Sequence, residues 1–279
     1  MDTMEKAAPS RRGSLMMNPM IRKLDRVEEQ SPERPATYGG IAAKTLFFML
    51  AAAAGVAGYF ILHALLPDEQ AIQASGYHIY LIETLVAIIA LVVSVFSPLL
   101  AFAIRPLVPI LGLIYCLSTA YTITWLGATM GGEYSGLIFL ALGITIVLVA
   151  VMAFLYATGK VKVGHKFRTV VTALFITVAC SGLIGFVLSL IPPLRGIVHY
   201  AQNDPIFSLI AGVIYIIVAC AFLLVDFDTI QRAVERELPK KYEWAAAFGL
   251  AYTIIFLFLK IFFLLANAKQ GSGNSAAAS

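Results

Sequence analysis

Charged residues are scarce in this chain of 279 residues: Asp, Glu, Lys and Arg together make up 13% of it. Soluble domains carry about 25% charged residues, and the mean hydropathy here is high, at +0.86. Because so little charge accompanies evenly spaced apolar runs, collagen-like, disordered and nucleic-acid-binding proteins are all excluded. The composition therefore indicates a polytopic membrane protein.

Cysteine and catalytic patterns are also sparse. Cys116, Cys180 and Cys220 all lie inside apolar runs, so no disulfide framework is expected. No GxSxG, HExxH or P-loop pattern occurs. Asp226 and Asp228 suggest an intramembrane aspartyl protease, but such a dyad needs carboxylates from two helices, and no other span holds an aspartate. We expect neither an enzyme nor a bound cofactor, and the residues leave metal binding open.

Seven apolar segments are long enough to cross a bilayer, since a spanning helix needs about 20 apolar residues. They are 45–66, 79–104, 107–130, 136–157, 170–191, 206–225 and 244–266. Strands are excluded because barrel strands would be about 10 residues long and alternating. We predict an all-α fold with a seven-helix transmembrane domain at 43–268, a disordered cytoplasmic arm at 1–42 and a flexible outer tail at 269–279.

Lysine and arginine lie mainly on one side of these spans. If the N-terminus is inside, the cytoplasmic segments carry 17 of the 20 basic residues, and the outer segments carry only Arg195 and Lys269. Basic residues are retained on the cytoplasmic side of membrane proteins. The distribution therefore predicts a cytoplasmic N-terminus and an outer C-terminus.

Four ionisable residues lie near the predicted cytoplasmic mouth, and a charge at membrane depth costs about 2.5–3.5 kcal/mol at a helix centre. Arg105 ends the second span, Asp226 and Asp228 end the sixth, and Glu243 opens the seventh. On a helix the two aspartates point about 200° apart, so they face different partners. Asp228 and Arg232 are spaced for a local ion pair. Which aspartate faces the interior stays open.

Two further ionisable residues lie near the outer face. Glu83 is about 6 Å deep and Lys260 about 9 Å deep, at a rise of 1.5 Å per residue. These similar depths predict an ion pair that closes the outer end of a pathway, with snorkelling of Lys260 as the alternative. The third span is the most polar and is expected to line either an aqueous path or the bundle interior.

Two functional classes fit this distribution of charge. Retinal proteins and hormone receptors are excluded, because both place the N-terminus outside and the third span has no carboxylate. An ion pathway or a membrane scaffold remains. An Arg105–Asp228 pair would form a latch at the inner mouth, and neutralising the carboxylate at low pH would release it. Cation flux would then rise as the pH falls.

The sequence resembles the Bax inhibitor family, the seven-helix proteins that carry the transmembrane Bax-inhibitor motif. The resemblance is carried by the seven-span plan, by LLVDFDTIQ at the end of the sixth span and by Arg105-Pro106. The arm DRVEEQSPERPATYGGIAAKTLFF is similar to that of the bacterial branch. The resemblance implies a last helix surrounded by the other six and a pH-sensitive calcium leak. It assigns the sixth-helix aspartate to Asp228, with Asp226 as the other register, the latch arginine to Arg105 and a second-helix acid to Glu83.

One departure from the family pattern concerns the last helix. The family often pairs its first aspartate with a second one there, which would fall at 250–253, and this chain has no acid at those positions. Either Glu243 substitutes for the second acid, or pH sensing depends on the Arg105–Asp228 latch alone. We expect a pH-responsive calcium or cation leak in a bacterial plasma membrane, with the bilayer and calcium ions as its partners. The alternative is a non-conducting regulatory or scaffold protein.

Overall fold

Seven long helices and one short hairpin make up the described part of the chain. The computed structural model describes residues 35–66, 71–74, 77–129, 132–161, 163–189, 191–193, 196 and 204–277. The elements are α1 (Tyr38–Leu65), β1 (Ala71–Ala74), β2 (Tyr77–Tyr80), α2 (Leu81–Ala103), a 3-10 turn (Arg105–Leu107), α3 (Val108–Thr129), α4 (Gly132–Ala157), α5 (His165–Ser189), α6 (Pro205–Glu235) and α7 (Tyr242–Ala277). Most of the predicted arm, Arg195 and the last two residues lie outside the described ranges.

Six of the seven helices are long and apolar enough to cross a membrane, and α5, judged on its described residues, does not meet that criterion. Their outward faces carry large apolar side chains such as Ile89, Phe139 and Leu46, all more than half exposed. Such surfaces suit lipid rather than water. The chain is therefore a multi-pass helical membrane protein, and the count of seven spans and the side of each terminus stay predictions.

The hairpin was not predicted. Strands β1 and β2 pair antiparallel, with Ala71 opposite Tyr80 and Ala74 opposite Tyr77. The second helix consequently begins at Leu81 rather than at residue 79.

Both ends of the transmembrane domain also differ from the prediction. Helix α1 begins at Tyr38, inside the predicted arm, because Thr37 caps it by accepting a hydrogen bond from the Gly40 amide at 3.0 Å. A cap of this kind sets a helix start independently of the apolar run. Helix α7 continues to Ala277 through most of the predicted tail, which contains no proline to break the helix.

Helix α7 lies at the centre of the bundle. It packs against α6, α1, α4 and α3, and it meets α5 where Phe175 contacts Tyr252 and Phe256. Half of its spanning residues are buried, the largest share among the six spans, and Phe248 and Phe262 are completely buried. A shift of α7 would therefore disturb every helix that packs against it.

Candidate ion-pathway site

Asp228 lies in a buried ion-paired cluster at the end of α6. Its carboxylate pairs with Arg168, from the first turn of α5, and with Nε of Arg232 at 3.1 Å. Asp228 and Arg168 are 9% and 5% exposed, so this is a desolvated contact between two helices. The local pair with Arg232 confirms the prediction from spacing. Arg168 was missed, because the basic residues of its segment were assigned to a loop.

Arg105 does not contact Asp228, so the predicted Arg105–Asp228 latch is wrong. A terminal guanidinium nitrogen of Arg105 donates to the Tyr242 hydroxyl at 3.3 Å, and its guanidinium carbon lies 5.5 Å from the centre of the Tyr242 ring. The reason is the 3-10 turn between α2 and α3, which holds Arg105 beside the start of α7. Asp228 faces α5 instead.

Asp226 is the aspartate that faces the central helix. It is 4% exposed and lies within hydrogen-bonding reach of the Thr253 hydroxyl of α7, while its Oδ2 has no hydrogen-bond partner among the described residues. Thr253 lies in the 250–253 segment, where the family often has a second acid. The Thr253 hydroxyl is also placed to donate a hydrogen bond to the Gly249 carbonyl oxygen, at 3.1 Å. Since a hydroxyl has one proton, Thr253 cannot donate to Gly249 and to Asp226 at once.

Glu243 anchors the start of α1 and contacts neither aspartate among the described residues, so it does not take the place of the missing acid. Its carboxylate pairs with Lys44 and accepts hydrogen bonds from the Thr37 amide at 2.9 Å and the Thr37 hydroxyl at 3.3 Å. Gly40 is required here, because a Cβ at that position would collide with the Glu243 carboxylate. A negative charge at the first turn of α1 is also favoured by the helix dipole.

The outer pair Glu83–Lys260 is absent, so this prediction is wrong as well. Glu83, 3% exposed, lies 2.7 Å from Nδ1 of His63 on α1. The Lys260 ammonium lies over the rings of Tyr215 and Phe256, at 4.5 Å and 5.1 Å. Equal depth fixes the height of a residue on its helix but not the direction in which it points. Helix α2 presents Glu83 to α1, whereas α7 presents Lys260 to α6.

The polar side chains of α3 lie in the bundle interior, one of the two places expected for them. The hydroxyls of Ser118, Thr122 and Thr124 donate to carbonyls one turn earlier in α3, at 2.7–2.9 Å. Tyr115 packs against Tyr252 of α7, with ring centres 5.2 Å apart. These hydroxyls are satisfied by their own helix.

The charges at this end of the bundle fall into separate clusters. Asp228 has two arginines, Glu243 has Lys44, and Asp226 has no cation in contact among the described residues. In the described ranges no group of three or more His, Cys, Asp or Glu side chains is placed to hold a metal ion. The arrangement supports making and breaking helix contacts by a change of charge, and it leaves one buried carboxyl open to a further ligand.

Comparison with known proteins gives one match. A family model described as Bax inhibitor 1 like matches residues 18–270. No curated protein and no solved structure matches the chain. The matched range begins within the predicted arm and extends into α7, so it includes all the clusters described above.

Proposed function

Because the chain belongs to the Bax inhibitor 1 like family, we propose that it is a pH-responsive leak pathway for calcium or another cation. In this proposal the protein lies in a bacterial plasma membrane with its N-terminus in the cytoplasm, as the distribution of basic residues favours. The proposal involves no catalysis and no cofactor. The end of the bundle that holds Asp226 and Asp228 is then the cytoplasmic mouth.

The observation that carries the proposal is the buried pair between Asp228 and Arg168. It joins the start of α5 to the end of α6, whereas the pair with Arg232 lies within α6 and joins no other helix. Removing one charge from a buried pair costs about 3–5 kcal/mol, because the partner is left uncompensated. Loss of the Asp228 charge would therefore release α5 from α6 at this mouth, and in this proposal low pH causes that loss.

Asp226 provides the second element of the proposal. Once the mouth opens, its free Oδ2 is a hard oxygen ligand in the bundle interior, and carboxylate oxygens are the ligands that calcium prefers. The Thr253 hydroxyl is the neighbouring oxygen on α7. A single carboxylate would hold a cation weakly, as a leak pathway requires.

Calcium flux into proteoliposomes between pH 8 and pH 5 tests the latch. Wild type is expected to conduct more as the pH falls, and Asp228→Asn should already conduct at pH 8 and show little dependence on pH. Arg168→Gln should also raise the flux at pH 8. Lys166→Gln is the matched control, because it removes an exposed charge two residues from Arg168 and should leave the profile unchanged.

Two results would contradict the latch. One is an Asp228→Asn profile that follows wild type over the whole pH range. The other is equal effects of Arg168→Gln and Lys166→Gln, which would indicate a general response to charge.

The alternative is a non-conducting regulatory or scaffold protein. It is favoured by the aromatic packing around α7, where Phe248 and Phe262 are completely buried, and by the hydroxyls of Ser118, Thr122 and Thr124, which bond within α3. Absence of wild-type flux at every pH would support this alternative.

A further inference from the structure

Arg105 is a cation without a carboxylate partner among the described residues. Its one hydrogen bond there runs to the neutral Tyr242 hydroxyl at 3.3 Å. A guanidinium has five N–H donors in a planar fork. Most of its hydrogen-bonding capacity is therefore available to another ligand.

Two of the three buried carboxylates described near this end, Glu243 and Asp228, are already paired with cations. Lys44 pairs with Glu243, and Arg168 and Arg232 both pair with Asp228. Asp226, the buried acid that has no cation in contact among the described residues, faces Thr253 of α7 and is not paired with Arg105. Any anion that compensates its charge must come from outside the described protein.

A second cation lies beside the same ring. The Lys241 ammonium is 5.9 Å from the centre of the Tyr242 ring, whose other neighbour is the Arg105 guanidinium at 5.5 Å. Lys241 is exposed, and Arg105 is partly exposed. Since Tyr242 accepts the hydrogen bond from Arg105, its own O–H proton remains for an acceptor beside Arg105.

The surface around Arg105 is apolar and exposed. The residue lies between two spanning helices, α2 and α3, so it is at the boundary of the hydrocarbon. The neighbouring side chains of Ile104, Leu107 and Ile110 are 43%, 40% and 57% exposed. An anion that binds here therefore meets cations on one side and an apolar surface on the other.

We propose that Arg105 and Lys241, with the Tyr242 hydroxyl, bind the phosphodiester headgroup of an anionic phospholipid. The guanidinium fork matches two phosphate oxygens, and the acyl chains lie along the apolar surface beside Arg105. A free phosphate has the same charge but would leave that surface uncovered. Basic pockets next to spanning helices commonly bind anionic headgroups in this way. The site does not depend on ion conduction.

Native mass spectrometry of the full chain in detergent tests this site. The protein is titrated with phosphatidylglycerol and, in parallel, with phosphatidylcholine that has the same acyl chains. Wild type should bind the first phosphatidylglycerol about tenfold more tightly than phosphatidylcholine, as expected for a charge-assisted hydrogen bond at a partly exposed site. Arg105→Gln should remove that preference. Arg105→Lys, which keeps the charge without the fork, should weaken it about threefold.

Lys160→Gln is the matched control, since it removes an exposed charge from the α4–α5 connection and should keep the preference. Equal binding of the two lipids by wild type would overturn the proposal. So would equal losses in Arg105→Gln and Lys160→Gln, because they would indicate attraction by overall charge. Displacement of the lipid by millimolar inorganic phosphate would assign the site to a free anion instead. If Arg105→Gln does not fold, Arg105→Lys decides on its own.

Discussion

Gly40→Ala should destabilise the protein although alanine is the better helix former. The added Cβ would occupy the space of the Glu243 carboxylate. That carboxylate would have to leave its contacts with Lys44 and Thr37. Because the Glu243 side chain is completely buried, it cannot move aside without losing these contacts.

The expected loss follows from two opposing effects. Displacing one partner of a buried ion pair costs about 3–5 kcal/mol, and replacing glycine by alanine in a compatible helix contributes about 0.4–1 kcal/mol in the other direction. The free energy of unfolding should therefore fall by about 2–4 kcal/mol. In a Glu243→Ala background the space is open, so Gly40→Ala should become neutral or slightly stabilising.

Equilibrium unfolding in mixed micelles, followed by circular dichroism, measures these differences. Gly39→Ala is the matched control, because a Cβ there meets nothing within 4 Å and only the helix preference should remain. Equal shifts for Gly39→Ala and Gly40→Ala would refute the reasoning. The same conclusion would follow if Gly40→Ala destabilised the Glu243→Ala protein as much as wild type.

Two further predictions concern the outer pair and the core. A double-mutant cycle of Glu83→Gln with His63→Gln should give a coupling of about 0.5–3 kcal/mol in the free energy of unfolding. The effects of Glu83→Gln and Lys260→Met should instead be additive within about 0.5 kcal/mol. A larger coupling to Lys260 than to His63 would support the Glu83–Lys260 pair after all. Gly112→Ala should cost about 1–3 kcal/mol by overpacking, because its Cβ would lie 2.7 Å from buried aromatic rings. Gly143→Ala, where the space is open, should show no such loss in a thermal unfolding experiment, and equal losses would argue against close packing at residue 112.

The helical character of the chain could be predicted because it depends on the order of apolar and polar residues along the sequence. A helix in lipid needs a long apolar run, and each predicted span lies largely within one observed helix. Burial of Glu83 could be predicted for the same reason, since it lies within a predicted span and a charge at membrane depth faces the bundle interior. Asp226, Asp228 and Glu243 lie just beyond the ends of the predicted spans, and both aspartates are buried although only one was expected to face the interior. The ends of the helices could be predicted less well, because the Thr37 cap rather than hydropathy sets the start of α1.

The partners of the buried charges could not be obtained in that way. Pairing depends on the rotation of each helix and on which helices are neighbours, and neither follows from depth. Arg105 and Asp228 lie near the same end, yet one contacts Tyr242 and the other Arg168. Glu83 and Lys260 have similar depths and point to different helices.

Arg168 did carry a signal in the sequence. It precedes Thr172 and Phe175 by four and seven residues, the spacing of one helix face, and all three residues are buried. Extending the apolar face of α5 by one turn toward its start would have included Arg168. A buried arginine on such a face requires an acidic partner, and that requirement points to the aspartates of α6.

The contact between Thr37 and Glu243 joins residues 206 positions apart, and this separation bears on synthesis. At about 5–20 residues per second, the ribosome needs about 10–40 s to produce Glu243 after Thr37. Throughout that interval helix α1 lacks the carboxylate that its amino end and Lys44 require. Helix α1 is thus made early but completed late, and a chain terminated before residue 243 would present an unfinished amino end of α1 to quality-control proteases.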